Sequence, residues 1–136
     1  MKTWMMFAFV SMIVLSACGA GPSSTISTTP GVLPAVPPDY AGKSNPFGSD
    51  AAVAGAVVFK TNCAACHGDN GLGDGPASQA LDPRPANLAA LNQKAGDDYL
   101  YWRINTGVTS TAMPAWKGVL GDEQIWELVA FIRTLK

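Results

Sequence analysis

The chain has 136 residues, 48% of them apolar and 14% charged, with a formal net charge of −1. That length leaves room for one small domain, whose thin core would gain from a staple such as a metal or cofactor. The charges are nearly balanced and form no basic run of the kind that grips a phosphate backbone, which argues against a nucleic-acid partner.

Residues 1–17 read as an export signal. Lys2 supplies the positive start, residues 4–15 are almost unbroken apolar, and the small residues Ser16 and Ala17 follow. The run falls short of the ~20 residues that span a bilayer; an uncleaved anchor helix is the alternative. Leu15-Ser16-Ala17-Cys18 resembles the lipobox of bacterial lipoproteins. The resemblance implies lipidation of Cys18 and attachment to the extracytoplasmic, periplasmic face of a membrane without a spanning helix. The plainer alternative is a signal peptide that happens to contain a cysteine.

Residues 18–49 read as a linker. Pro22, Pro30, Pro34, Pro37, Pro38 and Pro46 punctuate a Ser/Thr/Gly-rich stretch with little apolar periodicity. Its second half carries the aromatics Tyr40 and Phe47, which suit docking either on a partner or on the domain that follows.

Residues 50–136 read as the folded domain, all-α. Ser49-Asp50 offers an N-cap pair, and residues 51–60 predict a helix. Gly55 inside that helix costs up to ~1 kcal/mol relative to Ala, which a close approach by another helix would explain. Residues 68–87 predict a Gly/Asp/Pro-rich loop. A second helix starts at Asp97-Asp98, whose acids suit the positive end of the helix dipole, and stops at Gly107. Residues 108–114 predict a loop. A last helix begins near Gly121-Asp122-Glu123, with Ile125, Leu128, Val129, Ile132 and Leu135 at helical spacing. No strand signal stands out.

Cys63-Ala-Ala-Cys66-His67 is the pattern of covalent c-type haem attachment. Two thiols three positions apart reach two vinyl groups on one porphyrin edge, and the next residue sets an imidazole under the iron. A dithiol redox pair would sit at a helix start after a strand, and no such βαβ pattern is present. A zinc site wants four ligands, and beyond the export signal the chain offers Cys18, Cys63, Cys66 and His67. The expectation is one covalent haem c with His67 as an axial iron ligand.

The sixth ligand follows by counting. The sequence has a single histidine, so two histidines from this chain cannot share the iron. Four of five methionines lie in the export signal, leaving Met113 in Thr111-Ala112-Met113-Pro114. His67/Met113 ligation is the expectation; an open site, water or a lysine are the alternatives. Arg84, between Pro83 and Pro85, is a candidate for a haem propionate, with a solvated arginine as the alternative. Trp116 could wall the haem or donate its indole N–H to a propionate, with ordinary core packing as the alternative.

Taken together, residues 50–136 resemble a class I cytochrome c: the Gly55-x-x-x-Phe59 helix, the haem motif, the Met-Pro loop and the apolar terminal helix occur in that family's order. The resemblance implies small helices wrapped around one haem, with Gly55 meeting Leu128 and Phe131. It also implies a hydrogen bond from His67 to a loop proline carbonyl, for which Pro76 is the candidate. More narrowly, the lipobox, Pro37-Pro38-Asp39-Tyr40 and Ala112-Met113-Pro114-Ala115-Trp116 resemble the mono-haem cytochrome subunit of bacterial alternative complex III. That implies single-electron transfer within a quinol-oxidising respiratory or photosynthetic complex, with redox proteins and the membrane as partners. A free lipid-anchored shuttle and a haem peroxidase-type enzyme are the alternatives.

Overall fold

Three α-helices, two shorter helical pieces and one 3-10 turn follow the order expected for residues 50–136, in a computed structural model that describes residues 32–136. Residues 1–31, on which the expected export signal, Cys18 and the first part of the expected linker fall, lie outside the described residues. Helix α1 spans Ala51–Asn62 and α2 spans Ala64–His67, with Cys63 at the junction between them. A 3-10 turn at Ser78–Ala80 interrupts the Gly-rich loop. Helix α3 covers Leu88–Asn92, α4 covers Asp97–Thr106 and α5 covers Asp122–Ile132. Among the described residues there is no strand, and no helix is long and apolar enough to cross a membrane.

The helix ends follow local chemistry. Asp50 stands at the N-cap of α1, yet its side chain makes no capping bond. Asp97 and Asp98 open α4, and Gly107 ends it at φ +70°, a left-handed backbone that glycine adopts freely. Gly121 precedes α5, where the Gln124 side chain accepts a hydrogen bond from the Gly121 N–H at 3.0 Å, satisfying one backbone donor at the helix start.

Helices α1 and α5 cross at Gly55. A Cβ added there would overlap the Glu127 carbonyl and sit 3.0 Å from the Phe131 Cβ. The nearest partner is thus the backbone at Glu127 together with Phe131, rather than the Leu128 side chain of the family pattern. Phe59 and Phe131 pack beside the crossing with their rings tilted at 47° and ring centroids 4.9 Å apart. Ile125, Leu128, Val129 and Ile132 of α5 are buried, each contributing about 1.5–3 kcal/mol of apolar burial. Arg133 ties three elements together: its Nε donates to Asp97 Oδ1 at 2.8 Å, and its Nη1 donates to the Asn92 carbonyl at 2.9 Å.

Residues 32–47 do not behave as the linker their composition suggests. They lie on the helical body as a strap, with Leu33, Val36 and Tyr40 packed against the core. The Tyr40 hydroxyl donates to Asn105 Oδ1 at 3.0 Å. The Gly42 N–H donates to Asp98 Oδ2 and the Asn45 N–H to Asp97 Oδ2, both at 3.0 Å. The Asn45 amide also donates to the Trp126 carbonyl at 2.8 Å. Asn105 is only 3% exposed, so the strap supplies a partner that a buried amide needs. The two acids that favour the start of α4 are therefore also the strap's anchors.

Candidate haem site

A cavity of about 400 Å³ opens between the strap, the attachment segment and the 108–116 loop. Cys63, Cys66 and His67 line one side, and Met113, Pro114 and Trp116 also line it. Phe59, Leu88, Leu100, Ile104, Leu128 and Ile132 add apolar wall. Arg84 lines it as well, exposed at the surface. The strap contributes Leu33. Pro76 is not among the lining residues and is exposed.

The attachment segment is positioned by backbone bonds. The Cys63 and His67 N–H groups donate to the Phe59 and Cys63 carbonyls, at 2.8 and 2.9 Å. The loop then folds back: the Gly73 N–H donates to the His67 carbonyl at 2.8 Å, and the Ala77 N–H to the Ala65 carbonyl at 2.9 Å. Gly73 has φ +79°, and a Cβ there would overlap the Pro85 carbonyl. That close turn brings residues 85–88 up behind His67.

The imidazole uses this proximity. His67 Nδ1 lies 3.1 Å from the Ala86 carbonyl oxygen. A carbonyl can only accept, so Nδ1 carries the hydrogen and Nε2 keeps its lone pair for a metal. The expected partner was the Pro76 carbonyl; the structure places the Ala86 carbonyl there instead. The reason is the Gly73 turn, which brings the far end of the loop to the ring. Such a bond orients the imidazole and strengthens it as a donor.

Electrostatics fit an apolar site. Burial, with the neighbouring Cys66 adding to it, pushes the Cys63 thiol up to about 11. Burial lowers the pKa of His67, opposed by the bond to the Ala86 carbonyl. A neutral imidazole is the form that ligates a metal.

One cavity-lining cation escaped the sequence reading. Arg103 lines the cavity, half-buried, with its guanidinium 3.9 Å from the Trp102 ring centroid and 5.2 Å from that of Tyr99. No ion pair to it is found among the described residues. Its spacing from Tyr99, four positions along a helix, is the signal that could have found it.

The residues fit the group that the attachment motif implies. Two thiols and an imidazole stand on one short segment, a thioether lines the same cavity, and the walls between are mostly apolar. Arg84 and Arg103 are among the lining residues too, cations of the kind that pair with carboxylates on the edge of a flat ring.

Known proteins point the same way. The family described as cytochrome c oxidase, cbb3-type, subunit III, matches residues 50–132. The cbb3-type cytochrome c oxidase subunit FixPc of Rhizobium leguminosarum bv. viciae is 37% identical over 84 residues, which are 62% of this chain and 28% of that protein. The chain thus spans under a third of that relative's length. A cytochrome c6 of Parathermosynechococcus lividus is 35% identical over 81 residues, covering 57% of this chain and 83% of its own. A cytochrome c6 of Thermosynechococcus vestitus is 32% identical over 120 residues, covering 87% of each chain. Among solved structures, a chain of the Kuenenia stuttgartiensis reducing HAO-like protein complex Kustc0457/Kustc0458 superposes with a TM-score of 0.60 at 25% identity. It covers 70% of this chain and 48% of that one. With this helix order, this attachment motif and this cavity, the chain belongs to the cytochrome c family described as cytochrome c oxidase, cbb3-type, subunit III.

Proposed function

We propose that the chain is a single-electron carrier holding one covalent haem c through Cys63 and Cys66, with His67 and Met113 as axial ligands. The observation that carries this reading is that these four side chains line one cavity. Bound there, haem supplies a ferrous/ferric couple whose interconversion needs no bond to be made or broken. The protein's residues do the rest. His67 presents Nε2 because Ala86 holds Nδ1. The Met113 sulfur favours the ferrous state, and the apolar walls disfavour the extra charge of the ferric state, so both raise the potential. Arg84 and Arg103 stand as counter-charges for the ring's carboxylates, and Trp116 walls the cavity.

Lipidation at Cys18 would hold this carrier on the periplasmic side of a membrane, raising its local concentration near its redox partners. Its place is in a multi-subunit membrane complex. The lipobox and Met-Pro pattern favour a quinol-oxidising complex, and the FixPc match favours a terminal oxidase. A second reading, a carrier that works unattached to a complex, is favoured by the cytochrome c6 match over 87% of both chains. Mild detergent extraction with co-purification and intact-mass analysis separates them: haem, acyl chains and partner subunits together support the complex. A haem-bearing protein without acyl chains or partners would overturn the anchor and leave the carrier.

The ligand assignment has its own test. Met113→Ala is expected to abolish the Fe–S charge-transfer absorption and lower the reduction potential while the covalent haem remains. An unchanged spectrum and potential would exclude Met113 as ligand.

A further inference from the structure

The segment that presents Met113 is closed on itself by one side chain. The Val108 N–H donates to the Met113 carbonyl at 3.2 Å. Inside that closure, the Thr111 hydroxyl donates to the Val108 carbonyl at 2.8 Å and accepts from the Met113 N–H at 3.1 Å. The Thr111 N–H also donates to the Val108 carbonyl, at 3.2 Å. One oxygen therefore joins the first residue of the loop to the last.

The closure holds a backbone that would otherwise relax. Ser110 sits at φ +63°, the one non-glycine residue with positive φ among the described residues. That conformation is disfavoured for an L-residue and persists only where its surroundings over-determine it. Gly107, on the other flank, has φ +70° and packs so closely against Met113 and Ala115 that a Cβ would lie 2.8 Å from the Met113 carbonyl oxygen. Thr111 and Met113 both line the cavity.

We propose that Thr111 is a positioning residue for Met113: its hydroxyl clamps the 108–113 loop and keeps the thioether turned toward the iron against competing ligands. This rests on the reading of Met113 as the sixth ligand. It goes beyond that reading by assigning the strength of the sixth-ligand bond to a residue that is not itself an iron ligand. Thioether is a weak donor, so its hold on a metal depends on how well the loop is preorganised for it.

The test uses the full holoprotein and two variants. Thr111→Val keeps the branched shape and removes the hydroxyl, whereas Thr111→Ser keeps the hydroxyl. The probe is imidazole, titrated against the ferric protein, with the Fe–S charge-transfer absorption followed in parallel. In the valine variant, imidazole affinity is expected to rise roughly five- to tenfold, the scale of one lost hydrogen bond, with a weakened charge-transfer band. The serine variant is expected to stay within about twofold of the native protein. A valine variant with native affinity and band overturns the clamp, as does a serine variant that behaves like valine.

If the native protein itself lacks the Fe–S band, the Met113 reading has failed; if the band is present and insensitive to Thr111→Val, the clamp alone has failed. Should the valine variant not accumulate, amide exchange in the native holoprotein decides. Met113 N–H is expected to exchange at least roughly tenfold more slowly than Ser110 N–H, which has no acceptor in the loop. Equal exchange would overturn the proposal.

Discussion

Two segments without long helices flank the cavity, the strap at 32–47 and the loop at 68–87, and they are held by opposite means. The loop is held by its own backbone: N–H groups of Gly73, Gly75 and Ala77 return to carbonyls of His67, Cys66 and Ala65. Side chains add the exposed Lys60–Asp69 ion pair and the Asn87 cap of α3, but the loop's shape depends on positions such as Gly73 where a side chain cannot fit. The strap also turns on itself, the Tyr40 and Ala41 N–H groups returning to the Pro37 carbonyl, but side chains fix it to the body. Tyr40 and Asn45 reach out to Asn105 and Trp126, and the Gly42 and Asn45 N–H groups are taken by the Asp98 and Asp97 carboxylates. Similar Pro- and Gly-rich composition thus covers two structural regimes, one sensitive to added bulk and the other to lost functional groups.

The largest effect should come from adding bulk to the loop. Gly73→Val forces a branched residue to positive φ and into the Pro85 carbonyl, and is expected to cost roughly 2–4 kcal/mol of stability. Denaturant unfolding of the holoprotein reads this directly. The same substitution should weaken the His67–Ala86 bond, visible as a change in the imidazole ring resonances. If Gly73→Val unfolds like the native protein, the loop is not backbone-held.

A middle-sized effect should come from deleting one oxygen in the strap. Tyr40→Phe leaves the buried Asn105 carbonyl oxygen without its donor, a loss of about 1–3 kcal/mol. Proteolysis should then cut within 32–47 faster, with the haem spectrum unchanged.

The narrowest effect, confined to alkaline pH, lies under the strap. Tyr101 stacks on Trp126 at 4.2 Å and stands 6.2 Å from the Tyr40 ring. Burial, with the hydrogen bond to Asp122, pushes its pKa up to about 12. Because the folded value lies above the ordinary one of 10.0, its contribution to stability is fully present below pH 10. It is lost as pH rises from 10 through 12. Ultraviolet titration should show one tyrosine ionising last, and Tyr101→Phe should remove that slope. A slope unchanged by Tyr101→Phe would place the alkaline sensitivity elsewhere.

The helices were legible in the sequence where caps and periodicity agree. Helix α4 runs from Asp97 to its Gly107 stop, and α5 begins after Gly121 with its apolar residues in register. Helix α3 was not legible: five residues are too few for a period to show. Its one local signal was Asn87, whose side chain accepts from the Ala90 N–H at 2.9 Å. Cys63, Cys66, His67 and Met113 could be singled out because motif and counting need no geometry. The Ala86 partner of His67 could not, since it depends on how a glycine-rich loop turns back over more than a dozen residues. The strap was legible only in part: Tyr40 marked a segment suited to docking on a partner or on the domain, but proline-rich composition is silent on which of the two it lies against.

The strap also changes where force would enter the protein. Val32 and Leu33 lie along the groove formed with Ala86, Asn87 and Leu91, beside the carbonyl that holds His67. A pull on the upstream chain would first load Leu33 in the cavity wall and the Tyr40–Asn105 bond, not the start of α1. The lever arm of any tether therefore ends at the cavity rim, and tension along it would be felt first by the wall of the site.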